Sequence, residues 1–223
     1  MAAVIDTFIA PPCFKNIDIL FKDDSILLIN KPSGLLSLSG KNPLNKDSVH
    51  YRLVKDFPTA LMVHRLDFGT SGLMVIALNK TVNAALTKQF QARTIVKHYT
   101  SILNGHLKED EGEINFPIAK DKAHFPRQKI CFDTGKIAKT RYKVITRLFS
   151  PLSTQVCFTP VTGRTHQLRI HSHGIGHSIL GCDLYGNMET QAMANRLLLH
   201  ASRLEFDHPV TGERVFWECE AQF

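Results

Sequence analysis

The chain has 223 residues, 43% of them hydrophobic and 21% charged, with a formal net charge of +7. That is enough apolar material for one full core, or one core with a small appendage. No apolar run approaches the ~20 residues of a membrane helix, and no basic segment followed by an apolar stretch marks a secretory signal.

Five cysteines (Cys13, Cys131, Cys157, Cys182, Cys219) are odd in number and widely spaced, with no Cys-x-x-Cys. This disfavours a disulfide framework or a zinc ribbon and fits a reducing cytoplasm.

The predicted elements are mostly short strands. Residues 25–30 form an apolar run stopped by Lys31-Pro32-Ser33-Gly34, a strand entering a turn. Residues 73–78 read as a strand apolar enough to be covered on both faces. Residues 80–92 are expected to be helical, with Val82, Leu86 and Phe90 recurring every fourth position and Lys88 and Gln89 facing outward. Residues 98–103 form a strand ended by Asn104-Gly105.

Phe125-Pro126 and Thr134-Gly135 then suggest a hairpin or extended loop. Residues 141–146 and 154–160 read as paired strands. Residues 165–174 fit a helix with Thr165 as its N-cap, and residues 198–206 and 213–219 are closing strands around a turn at 209–212. No repeat, low-complexity tract or linker is present. The expectation is a single α+β domain over residues 1–223, built around a mixed, largely antiparallel sheet.

The positive charge is concentrated. Between positions 120 and 143 lie Lys120, Lys122, Arg127, Lys129, Lys136, Lys139, Arg141 and Lys143 against only Asp121 and Asp133, a local net of +6. Such an excess fits a polyanionic partner or, more simply, a solvated basic loop.

One stretch is far more specific. His64-Arg65-Leu66-Asp67-Phe68-Gly69-Thr70-Ser71-Gly72-Leu73 sets a carboxylate in a short polar loop directly before a buried strand, a good place for a catalytic group. It resembles, at every specified position, the HRLDxxTSGL motif of the RluA family of pseudouridine synthases. Four further segments resemble that family's motifs, in its order: Lys31-Pro32-Ser33-Gly34-Leu35, Lys97-His98-Tyr99, residues 162–171 (Thr162-Gly163-Arg164-Thr165-His166-Gln167-Leu168-Arg169-Ile170-His171), and Arg196-Leu197-Leu198-Leu199-His200-Ala201.

The resemblance implies the pseudouridine synthase fold and isomerisation of uridine within RNA, with neither metal nor organic cofactor. It implies that Asp67 is the essential carboxylate, acting either on the ribose C1′ or as the base that removes the 2′ hydrogen. Arg169 would lie beside Asp67 and favour its charged form. Tyr99 would stack on the uracil and move the C5 proton. Leu198 would wall in the detached base, and Arg65 would hold open the space left by the extruded uridine. Arg164 belongs to the basic motif, and Lys129, Lys136 and Lys139 are the expected RNA grip within segment 120–143.

Taken singly, each residue has a plainer reading. Asp67 could be a turn residue, Tyr99 a half-buried strand aromatic, Arg169 a surface helix residue and Leu198 part of the core. Their joint occurrence in five ordered motifs favours the catalytic assignment.

Only some 30 residues precede the first motif, so the separate N-terminal RNA-binding domain of several relatives is not expected. Asp47-Ser48-Val49 and Arg127-Gln128-Lys129-Ile130-Cys131 resemble the small RluA branch, which implies large-subunit rRNA, the tRNA anticodon stem-loop, or both as substrates. A monomer away from any membrane is the default expectation, since no heptad or long exposed edge argues otherwise.

Two rival readings use the same residues. One is a catalytically idle RNA-binding protein of this fold in ribosome assembly, against which an intact Asp67 argues. The other is a zinc hydrolase built on His171, His173 and His177. A strand would put His171 and His173 on one face, whereas a helix points them about 200° apart. Ser178 stands where the family commonly has proline, and Cys182 where it has aspartate, which leaves the turn before Tyr185 open to question.

Overall fold

The apolar runs of the first 95 residues become strands because each can be covered by its neighbours. The structure, a computed structural model, describes residues 8–223. Strand β1 (Asp18–Lys22) is exposed along its length and pairs antiparallel with β2 (Ile26–Lys31), whose Ile26, Leu27, Leu28 and Ile29 are fully buried. Asp23 makes the turn between them: its Oδ1 accepts from the amides of Ser25 and Ile26, both at 2.7 Å.

Helix α1 (Val49–Leu53) is capped by Ser48, whose Oγ accepts from the Tyr51 amide at 3.1 Å. Strand β3 (Leu61–Met62) and strand β4 (Ser71–Ala77) follow; β4 is buried at all seven positions and pairs antiparallel with β2 and β3. The double-sided burial expected from the sequence holds.

Helix α2 (Lys80–Ala92) has the expected span. Asn79 accepts from the Val82 amide, Val82 and Leu86 are buried, and the helix ends at Arg93 in the left-handed conformation. Gln89 departs from its expected outward position. Its amide gives a hydrogen bond to the Asp207 carbonyl (2.7 Å) and takes one from the Asp207 amide (2.9 Å), matching a backbone ladder pair with one side chain.

Strands β5 (Val96–Asn104), β6 (Glu111–Ile114), β7 (Ile118–Lys120), β8 (Gln128–Ile130), β9 (Thr140–Phe149) and β10 (Leu152–Pro160) come next. They are followed by helices α3 (Gln167–Gly174) and α4 (Met188–Ala192), strand β11 (Leu199–Asp207) and strand β12 (Arg214–Glu218). The described chain forms two compact units: Met1–Ile95 with Glu205–Cys219, and Val96–Leu204 with Glu220–Phe223.

In the second unit the strands lie in the order β11-β5-β10-β9-β6, with β7 and β8 as a separate antiparallel hairpin. The pairs β5–β10, β9–β10 and β6–β9 are antiparallel. On β10, Thr154, Val156 and Phe158 are buried in alternation, and Val156 and Phe158 build a core with Leu103, Leu168, Ile179, Leu197 and Leu199. In the first unit, β12 pairs with β11 and Trp217 stacks on Phe206 at 5.4 Å between ring centroids. The class is α+β, as expected.

The expected helix at 165–174 begins two residues later. Its cap position is His166, at φ +55 and with no side-chain cap bond, while Thr165 is exposed. The short helices α1 and α4 and the edge strands β1 and β6 were not anticipated, because five residues or fewer carry too little periodicity to read.

Asp23 ties the first unit's ends together through His208, whose Nε2 lies 2.9 Å from Asp23 Oδ2. Burial raises the Asp23 carboxyl, but the Ile26 and Ser25 amides and His208 outweigh it and hold it below the ordinary carboxylate value. A depressed carboxylate stabilises the fold above its unfolded value of about 3.9 and loses that contribution as pH falls through the folded one. Asp23→Ala is therefore expected to destabilise the protein at pH 7 by about 1–2 kcal/mol. In urea unfolding, the difference from wild type should narrow steadily as pH falls below about 4.

Candidate active site

In the first unit, the loop at residues 63–70 joins β3 to β4 and carries Arg65 and Asp67. Arg65 is exposed, Leu66 is buried and Asp67 is half-buried. Both neighbours of Asp67 are pinned. Ser37 holds Leu66 twice: its Oγ donates to the Leu66 carbonyl (2.7 Å) and accepts from the Leu66 amide (3.1 Å). The Phe68 carbonyl accepts from the Gly34 amide (2.9 Å) and from Lys31 Nζ (3.3 Å), and Ser33 Oγ donates to the Gly69 carbonyl at 2.7 Å.

Lys31 is the base of this arrangement. It is fully buried, and its ammonium also donates to the carbonyls of Leu35 (2.7 Å) and Pro32 (2.9 Å). A buried ammonium needs such acceptors, and here they are the backbone of the Lys-Pro-Ser-Gly-Leu turn and of the Asp67 loop. Gly34 sits at φ +80, which favours glycine for conformational rather than spatial reasons. His64 Nε2 accepts from the Val75 amide at 3.1 Å, and its ring stacks on Phe90 of α2. The loop's entrance is thus fixed to β4, and the Asp67 backbone has little freedom.

The second unit carries Tyr99, Arg164, Arg169 and Leu198. Tyr99 on β5 lies opposite Phe158 on β10, so the two share the sheet face that holds the buried core. Leu198 packs against the same core. Its amide donates to the Leu180 carbonyl (3.0 Å), and its carbonyl accepts from Ser101 Oγ (2.8 Å) and the Ile102 amide (3.3 Å).

Arg169, on α3, is 4% exposed. Its guanidinium donates to the Asp183 carboxylate, its Nε to Cys182 Sγ at 3.4 Å, and it lies over the Tyr185 ring at 5.4 Å. Cys182 offers only a weak acceptor, and the carboxylate that meets Arg169 comes one residue later. The other departure is also accommodated: Ser178 Oγ bonds His173 Nδ1 at 3.0 Å.

The start of α3 is held by Gln167. Its Oε1 accepts from the Arg164 amide (2.9 Å) and Thr162 Oγ1 (2.7 Å), and its Nε2 donates to the Lys139 carbonyl (3.0 Å) and Thr140 Oγ1 (2.9 Å). Thr140 passes the chain on to His171 Nδ1 (2.9 Å), and His171 Nε2–H donates to the Phe116 carbonyl (3.0 Å). Burial pushes the His171 imidazole down, keeping it neutral. His177 Nδ1 bonds the Asn104 carbonyl at 2.8 Å. The three histidines of the metal reading thus each have a separate local partner, on a helix and the turn after it. Among the described residues no group of three or more His, Cys, Asp or Glu is placed to hold a metal ion.

The basic segment forms the β7–β8 hairpin and the return strand after it. Lys129 and Lys136 are exposed, as are Lys122 and Arg127, and Phe125, Phe132 and Ile137 are 59%, 74% and 78% exposed among them. Lys139 differs. Its Nζ is 2.6 Å from Glu113 Oε1, and Arg141 lies 3.3 Å from Oε2. Lys139, then Asn115 and Arg141, holds the Glu113 carboxyl down to about 2. Arg164 Nε donates to the Ile137 carbonyl at 3.0 Å.

Sequence reasoning did not single out the roles of Lys31, Ser37, Gln167, Asp183 or Tyr185. Lys31 and Gln167 lie inside motifs, and that was the available signal.

The profile of a family described as RNA pseudouridylate synthase matches residues 25–173. The chain is 48% identical over 205 residues to the dual-specificity RNA pseudouridine synthase RluA of Yersinia pestis, covering 92% of this chain and 99% of that protein. It is 43% identical over 213 residues to the protein of the same description from Escherichia coli K12, covering 96% and 97%. Among solved structures, human RNA pseudouridylate synthase domain containing 1 is similar, with a TM-score of 0.78 and 28% identity over 94% of this chain and 85% of that one.

Replacing the buried ammonium tests the loop's foundation. Lys31→Met would strip a donor from three carbonyls and is expected to lower unfolding stability by roughly 3 kcal/mol. Chemical denaturation monitored by circular dichroism measures it, and a change below about 1 kcal/mol would show that the carbonyls find other donors.

Proposed function

The chain belongs to the RNA pseudouridylate synthase family, and from that membership we propose that it isomerises uridines of large-subunit rRNA, of the tRNA anticodon stem-loop, or of both, to pseudouridine. Its full-length similarity to proteins described as dual-specificity enzymes supports both substrates. Stem-loops suit the reaction, because an unpaired loop base is cheaper to extrude than one within a duplex.

The reaction breaks the N1–C1′ bond and forms a C5–C1′ bond. The hydrogen on C5 leaves as a proton and N1 gains one, so atoms balance without oxidant or reductant. The observation that carries the reading is the two-sided pinning of the Asp67 loop by Ser37, Gly34 and Lys31. A carboxylate that must meet one ribose atom requires a backbone of this kind.

In this reading Asp67 acts on C1′ or on the 2′ hydrogen. Tyr99 stacks on the uracil and handles the C5 proton, Arg169 supplies the cation that favours an ionised carboxylate, and Leu198 confines the free base. Arg65, exposed on the loop, occupies the space vacated in the RNA. Residues 1–223 act as one catalytic domain, with segment 120–143 as the RNA grip and Arg164 beside it through Ile137.

Exposed Phe125 and Phe132 among exposed lysines and arginines give that segment faces for unpaired bases as well as charge for phosphates. A monomer in the cytoplasm is the simplest setting, consistent with the absence of any disulfide among the described residues. Among the described residues no helix is long and apolar enough to cross a membrane.

Tritium release from RNA labelled at uridine C5 tests the reaction, since C5 must lose that hydrogen. Wild type is expected to release tritium from rRNA, from tRNA or from both, and Asp67→Asn to be slower by more than about a thousandfold with RNA affinity retained. Turnover by Asp67→Asn near the wild-type rate would refute the assignment, and binding without release would leave an idle RNA-binding protein.

The grip has its own test in the salt dependence of RNA affinity. Lys129→Ala and Lys136→Ala should each flatten the slope of log affinity against log salt by about 0.7. Lys139→Ala should change it less, because Glu113 already engages that ammonium. Equal effects of all three would show that Glu113 releases Lys139 to the RNA.

A further inference from the structure

Tyr185 touches three parts of the second unit that the functional reading treats separately. It lies in the turn between α3 and α4, a turn closed by the Gly181 amide on the Thr190 carbonyl (2.9 Å) and the Gly186 amide on the Cys182 carbonyl (3.3 Å). The turn passes too close to its neighbour for any side chain at Gly181. A Cβ at Gly181, which sits at φ +71, would come within 1.9 Å of the Arg196 carbonyl oxygen.

From this turn the phenol oxygen accepts from the Gln128 amide, the first residue of β8, at 2.9 Å. It lies 2.7 Å from Nδ1 of His166, the residue that opens α3. With its oxygen accepting from Gln128, the hydroxyl has its one hydrogen free to donate to His166 Nδ1. The ring packs against the small cluster of Ile118, Ala138 and Ile170, together with Ile130 of the hairpin. Arg169 lies over the same ring at 5.4 Å.

We propose that Tyr185 is a positioning residue with two jobs: its hydroxyl seats the basic β7–β8 hairpin for RNA, and its ring supports Arg169 for the reaction. The proposal rests on the pseudouridine synthase reading above, which assigns the hairpin to RNA and Arg169 to the reaction. Physically, the two ends of one rigid side chain do different jobs. The hydroxyl fixes the start of β8, and the aromatic face supports a guanidinium that Asp183 also holds.

Two variants separate the two ends. Tyr185→Phe keeps the ring and loses the hydroxyl, while Tyr185→Leu loses both. The measurements are single-turnover tritium release from a C5-labelled stem-loop across a range of enzyme concentrations, stem-loop binding, and amide hydrogen exchange at residues 118–130. Tyr185→Phe is expected to speed exchange of the Gln128 amide about tenfold and to raise the half-saturating concentration about fivefold, the loss of one hydrogen bond. Its maximal rate should stay within about twofold of wild type. Tyr185→Leu is expected to lower the maximal rate as well, by about tenfold.

Unchanged exchange and half-saturation in Tyr185→Phe would overturn the proposal, as would a maximal rate that falls equally in both variants. Should Tyr185→Leu fail to fold, Tyr185→Phe decides alone. If wild type releases no tritium, the functional reading falls instead. Exchange and stem-loop binding by Tyr185→Phe then still determine whether the phenol seats the hairpin.

Discussion

A lysine ammonium with no access to solvent organises the first unit. Lys31 ends β2, and its Nζ is satisfied by the carbonyls of Pro32, Leu35 and Phe68. Burying a charge in an apolar interior is strongly unfavourable unless it is hydrogen-bonded. The two loops that supply those carbonyls must therefore keep their backbone positions for the unit to remain folded. One loop is the turn after β2, and the other is the loop that carries Asp67. Their mutual hydrogen bonds, through Gly34, Ser33 and Ser37, extend the same constraint to the residues on either side of Asp67. The backbone on either side of Asp67 thus inherits its fixed position from a buried charge.

The second unit uses a neutral version of this device. Gln167, Thr140 and His171 form a chain in which each donor has an acceptor, running from the backbone before α3 to the Phe116 carbonyl. The chain requires an uncharged His171 that donates from Nε2 and accepts at Nδ1, and burial of the ring favours that state. Such a network keeps α3 in one register against β9, which fixes where Arg169 emerges. It also explains how the helix begins without a conventional N-cap. His166 turns the chain through the left-handed region, and the Gln167 amide is satisfied by the Arg164 carbonyl at 3.1 Å while the Gln167 side chain holds the Arg164 amide in return.

Charge in the basic segment is distributed by function as much as by number. Lys139 and Arg141 converge on Glu113 and hold β6 to β9, whereas Lys129 and Lys136 remain exposed beside Phe125, Phe132 and Ile137. A count of positive residues treats these alike. In the folded protein one pair serves the sheet, and the rest, with the aromatic rings, form a surface suited to a single-stranded polyanion.

The long apolar runs of β2 and β4 and the four-residue spacing of α2 were legible from sequence because local periodicity and burial agree there. The Asp67 loop was legible because five motifs in order are specific where a lone Asp is not. The short elements were not readable, since α1 and α4 hold only five residues each. Nor was the true start of α3, where Thr165 has the right chemistry for a cap but lies outside the helix. Sequence by itself determined the class of fold and the family, and it named the candidate site residues. Tertiary structure alone decided that Lys31 is buried under the Asp67 loop, that Gln89 and Gln167 replace backbone partners, that Lys139 is engaged, and that Tyr185 meets both Gln128 and Arg169. The reason is physical: those roles depend on hydrogen-bond partners dozens of residues away in the chain, which no local pattern of residue types encodes.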